Sequence, residues 1–125
     1  MNWINEIYRA FFVALGSMQI LTNLSFLLKS NGIQLARKQH QEVPANISAK
    51  QMRIKILFML SFGIVFITIG LYSYINRLFP LPMYLLSLGL FSLYAILEAF
   101  YYKYWKTVGF ALISILLFSI LIFSN

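Results

Sequence analysis

Apolar residues fill this chain in four blocks, 10–28, 56–75, 81–100 and 108–123, and the polar positions are gathered between them. Each block is close to the ~20 residues that a helix needs to cross a bilayer core of about 30 Å. None contains Asp, Lys or Arg, and one contains a single Glu. A spanning segment must satisfy its own backbone, so only helices and closed barrels qualify. The blocks lack the period-2 alternation of barrel strands, which leaves helices. The pattern predicts an all-α membrane protein. Its four transmembrane helices form an antiparallel bundle with both termini outside, in a single membrane domain covering residues 1–125. The expected spans are 8–28, 54–75, 81–102 and 106–123, with a cytoplasmic basic loop at 29–53.

The boundaries follow from local chemistry. The first helix is expected to begin near Asn5–Tyr8, with Trp3 and Tyr8 at the outer headgroup level, where an amphipathic ring keeps one edge wet. Ser30, Asn31 and Gly32 mark its end, and residues 33–41 form an amphipathic extension along the inner surface. Pro44 interrupts that extension. Ser48 and Gln51 have capping-box spacing, so the second span should start near Ala49. Prolines 80 and 82 suit the start of the third. Short connections predict that spans 2, 3 and 4 pack side by side, whereas the first connection is long enough to leave span 1 unplaced. The two halves share no repeat.

Composition confirms the class. The chain is 61% hydrophobic, against ~45–50% in soluble domains. Block 108–123 alone carries twelve Val, Leu, Ile or Phe residues, worth about −4 to −7 kcal/mol for insertion before small and polar residues subtract their share. Glu6 offsets Arg9 and no A-x-A-like site follows, so the first block reads as a retained span. Abundant Ile and Phe, with Asn and Lys beside few Ala, is the residue usage expected of an AT-rich bacterial genome.

Charge supplies orientation. Ten Lys/Arg against three acidic residues give a net charge of +7. Lys29, Arg37, Lys38, Lys50, Arg53 and Lys55 lie between spans 1 and 2, and Lys103 and Lys106 between spans 3 and 4; Arg9 and Arg77 lie on the other side. This positive-inside bias puts both basic loops in the cytoplasm of a multi-pass cell-membrane protein. Of these residues Arg37, Lys38, Lys50, Arg53, Lys55, Lys103 and Lys106 are the expected inner-surface contacts to anionic lipid headgroups or to a partner. Nucleic acid is not an expected partner, because no basic stripe with stacking aromatics is free of the membrane.

Candidate chemistry is sparse. With no cysteine, thiolate catalysis, disulfides and Cys-bound zinc are excluded. No catalytic, cofactor-binding or metal-binding set is expected, since a catalytic pocket needs convergent titratable groups. Glu98 is the one ionisable residue at membrane depth. It either pairs with Lys55, Arg53 or Lys103 to fix packing, the favoured reading, or marks a proton or cation route. Tyr102, four residues on, could donate to it. Gln19 and Asn23 share a helix face and should form a hydrogen-bonded seam with protein, or line a route. Ser92, Ala95 and Ala99 make a small-residue seam that Gly63 and Gly70 could meet. His40, among basic and amide residues, is expected to be solvated. The favoured function is a non-enzymatic accessory, regulatory or immunity-type protein. It would act through helix–helix and basic-loop contacts with a membrane-protein partner or in a homo-oligomer. The alternative is an oligomeric small transporter or channel using Glu98, Gln19 and Asn23.

Overall fold

A computed structural model describes residues 3–125. Within them lie five helices and no strand: α1 (Trp3–Leu28), α2 (Gly32–Gln39), α3 (Ala49–Ile75), α4 (Leu81–Tyr102) and α5 (Trp105–Phe123). Helices α1, α3, α4 and α5 are each long and apolar enough to cross a membrane, and most of each apolar stretch lies on the outside of the protein. A soluble fold would turn that surface inward; an apolar exterior of this kind suits lipid.

The local signals act as their chemistry requires. At Ser48 the side chain accepts from Gln51 N at 3.1 Å while Gln51 Oε1 accepts from Ser48 N at 3.0 Å, a complete capping box that starts α3 at Ala49. Pro82 occupies the first turn of α4, where a missing N–H leaves nothing unpaired. Lys103 ends α4 in the left-handed conformation, its N–H bonded to Ala99 O. The chain then enters α5 two residues later.

Helix pairing differs from the expected order. The intimate partner of α3 is α1, the span the sequence left unplaced, and α4 is packed closely on α5; α3 and α4 touch more sparingly. The cause is backbone approach. A Cβ on Gly16 would stand 2.6 Å from Ile67 N and 2.8 Å from Gly63 O, and one on Gly70 would stand 2.7 Å from Val13 Cγ2. Gly63 and Gly70 therefore meet α1 and not the small-residue seam of α4. Without a hydrophobic drive in lipid, such close approach is what binds helices together.

Hydrogen bonds identify the two ends. At one, Arg9 gathers Glu6, Ser73 and the carbonyl of Leu78, and Asn125 donates to Asn5. Tyr8, expected at the headgroups, is instead buried, its hydroxyl donating to Leu117 O at 2.6 Å. At the other, basic end, the connection after α2 folds back into the bundle. Ala36, Val43, Ile47, Met52 and Ile56 form a small apolar core there, with Phe26, Ile33 and Tyr102 packed on it. Between the ends runs an apolar aromatic layer: Phe79 stacks on Tyr84, the pairs Tyr84–Phe12, Phe12–Phe66 and Phe66–Phe91 meet at a tilt, and Phe91 meets Phe110 edge to face.

Candidate functional site

The basic end holds a buried ionic cluster assembled from four segments. Lys55 extends from the second turn of α3, where the sequence calls for a surface cation, and is 1% exposed. Its Nζ lies 2.9 Å from Glu98 Oε1 of α4 and 3.0 Å from Glu42 Oε1 of the α2–α3 connection. Its other neighbours are the rings of Tyr94, at 5.1 Å, and Phe110, at 4.8 Å. An ammonium between two carboxylates and two ring faces has replaced its water with charge and quadrupole.

Glu98 is 8% exposed. Of the cations weighed for it, Lys55 is the partner. The phenol that donates to it is that of Tyr94, one turn before it, at 2.7 Å to Oε2. Tyr102, one turn after, lies half-buried against the small apolar core of the basic end. Both are four residues from Glu98, so spacing alone could not choose between them.

Glu42 carries no signal in the sequence beyond its place before Pro44, yet its side chain is only 17% exposed. Burial alone would raise its pKa. The contact with His40 and the charge of Lys55 outweigh burial and bring it down from 4.5 to about 2. Thr107 of α5 donates to the Glu42 backbone carbonyl, so one residue ties the connection to α3 by its side chain and to α5 by its main chain.

His40, expected in solvent, is 3% exposed. Its Nδ1 lies 3.4 Å from Glu42 Oε1 and its Nε2 2.7 Å from Asn23 Oδ1, with the Phe26 ring edge-on. Asn23, fully buried, donates through Nδ2 to the backbone carbonyl of Gln19 at 2.7 Å and to Gln19 Oε1 at 2.8 Å. The two α1 amides thus face inward as a seam, as their shared face predicts, but the group they meet is the histidine. A single polar chain runs Gln19, Asn23, His40, Glu42, Lys55, Glu98, Tyr94.

The remaining basic residues divide. Arg37 is used internally, its Nη1 donating to Ala45 O and Ile47 O. Lys38, Lys50, Arg53 and Lys103 are exposed, as is Lys29, and Lys106 is half-buried with Nζ over the Trp105 ring. A groove of about 320 Å³ between α3 and α4 reaches the cluster from the side; Gln51, Tyr94, Tyr101 and Tyr102 line it above Lys55 and Glu98. Gln51 Nε2 donates to Tyr101 Oη across it. Among the described residues no group of three or more His, Asp or Glu side chains is disposed to hold a metal ion.

No family model, curated protein or solved structure matches this chain. Its functional reading therefore comes from its own geometry.

Proposed function

We propose that this is a non-catalytic integral membrane protein of the cell membrane, an accessory, regulatory or immunity-type component. It works by presenting lipid-facing helix surfaces and an exposed basic face to a membrane-protein partner. The observation that carries this reading is that the buried ionisable groups at the basic end face one another. Lys55, Glu98, Glu42 and His40 form one compensated cluster, while the aromatic layer from Phe79 to Phe110 lies between it and the Arg9 end. Such a cluster supports a rigid bundle more readily than a conduit through one chain. Lys38, Lys50, Arg53 and Lys103 remain for anionic headgroups or an acidic partner surface.

Photo-crosslinking in native membranes from lateral positions such as Leu86, Leu97 and Leu112, all exposed, tests the reading. Crosslinks to one defined membrane protein from one helix face support it. Lipid adducts alone at every position, with a monodisperse monomer after gentle extraction, refute it.

A second reading has one observation in its favour, the groove that brings Glu98 and Lys55 within reach of the space between α3 and α4. An oligomeric transporter or channel could use it, with Glu98 as the coupling carboxylate and Gln19 and Asn23 as positioning amides. Cation flux into proteoliposomes that is lost in Glu98→Gln would favour this reading, and equal leakage from protein-containing and empty vesicles would dismiss it.

A further inference from the structure

The hydrogen-bond chain determines where a proton must sit. The Gln19 backbone carbonyl can only accept, so the Asn23 atom 2.7 Å from it is the amide nitrogen. Asn23 Oδ1 is then the atom facing His40, and an oxygen acceptor there requires Nε2 of the imidazole to donate. The opposite nitrogen, Nδ1, faces Oε1 of Glu42, which the nearby Lys55 and His40 keep ionised and therefore acceptor-only. Both ring nitrogens thus face acceptors, and only the imidazolium donates from both. The charges agree. With a neutral imidazole, Lys55 alone opposes Glu42 and Glu98 and one negative charge is left buried; with an imidazolium the cluster is balanced.

We propose that the cluster is a proton-operated latch on the connection between α2 and α3. Protonated His40 bridges Asn23 of α1 to Glu42 and so holds residues 40–47 in the mouth of the bundle. Loss of the Nδ1 proton turns a lone pair towards the Glu42 carboxylate and leaves the cluster with excess negative charge. The connection then detaches from Asn23, Lys55 and Thr107. Every packed element bears on the switch. Helix α1 contributes only the Gln19 and Asn23 amides and the Phe26 ring. Helix α2 contributes Arg37, which is engaged by Ala45 O and Ile47 O. Lys55 of α3 attracts Glu42, Glu98 and the Tyr94 phenol of α4 stand on the far side of Lys55, and α5 adds the uncharged Thr107 hydroxyl. The direction is therefore set by His40 and Glu42: held in mild acid, loosened as imidazole loses its proton. The inference holds whether the bundle serves a partner or a solute.

Hydrogen–deuterium exchange of the protein in lipid nanodiscs tests it, read on peptides covering 40–48 and corrected for intrinsic exchange. As the pH is raised from mild acid to mild alkali, protection of this segment should fall roughly tenfold, as expected when a buried charge is left uncompensated. Peptides from α4 and α5 should stay unchanged. His40→Gln, which can donate to Asn23 but cannot carry charge, should remove the pH response. A wild-type segment equally protected across the range, or a response that survives His40→Gln, overturns the latch. Nitrogen-15 spectra of the wild-type histidine decide the matter without any variant. Both ring nitrogens should be protonated in mild acid, with Nδ1 deprotonating in step with the loss of protection. An Nε2 that loses its proton first refutes the proposal.

Discussion

At the residue scale, the informative side chain is Lys55. An ammonium 1% exposed between two carboxylates lowers the free energy only while both partners are present; removing one member leaves an uncompensated buried charge that costs about 3–5 kcal/mol. Lys55→Met should therefore destabilise the protein by that order, measured as a lower unfolding midpoint in detergent. Lys55→Met combined with Glu42→Gln and Glu98→Gln should recover most of the loss, because no buried carboxylate is then left without its counter-charge. Glu42 also predicts an acid limb. Its pKa is lowered from 4.5 to about 2 in the folded protein, so the stability it contributes is complete above about 4.5 and is lost as pH falls towards about 2. Unfolding midpoints in acid should drop through that window for the wild type, and Glu42→Gln should flatten the drop.

At the scale of elements, glycines decide which helices become partners. Gly16 lies so close to α3 that a methyl group would meet backbone atoms, Ile67 N at 2.6 Å and Gly63 O at 2.8 Å, and backbone cannot rotate aside as a side chain can. Gly16→Ala should cost about 1–3 kcal/mol by overpacking and loosen α1 from α3. A methyl group on Gly109 of α5 would meet nothing within 4 Å, so Gly109→Ala should be neutral or stabilising by up to about 1 kcal/mol from helix propensity. Thermal unfolding of the two variants side by side separates close packing from a general effect of glycine. The same scale explains the small-residue pattern: a stripe on one helix names no partner until a second stripe is brought opposite it, and Gly63 found Gly16.

At the scale of the whole molecule, hydrogen bonds bring the two described chain ends near the 76–80 turn, and the long α2–α3 connection beside the start of α5. With basic residues at the second of these ends, the positive-inside tendency predicts that the chain ends are external. The chain has no cysteine, so single cysteines placed at Ser124 and at Lys50 can report this. An impermeant maleimide added to intact cells should label the first and spare the second; the reverse pattern would invert the orientation.

Element existence was legible from residues alone because a bilayer imposes length and apolarity directly on each segment: α1, α3, α4 and α5 announce themselves, Ser48 and Gln51 mark where α3 starts, and Glu98 stands out as the lone carboxylate within an apolar block. The gathering of basic residues at one end was readable for the same reason, since it depends on counts along the chain. Who touches whom was not. Glu42 and His40 sit in a polar connection whose composition suits solvent, and only the fold-back of residues 40–48 carries them under Lys55. Tyr94 and Tyr102 are equally spaced from Glu98, and the choice between them was made by where α3 lies. Those outcomes depend on contacts between segments far apart in sequence, formed through close backbone approach and charge compensation, which a linear pattern does not encode.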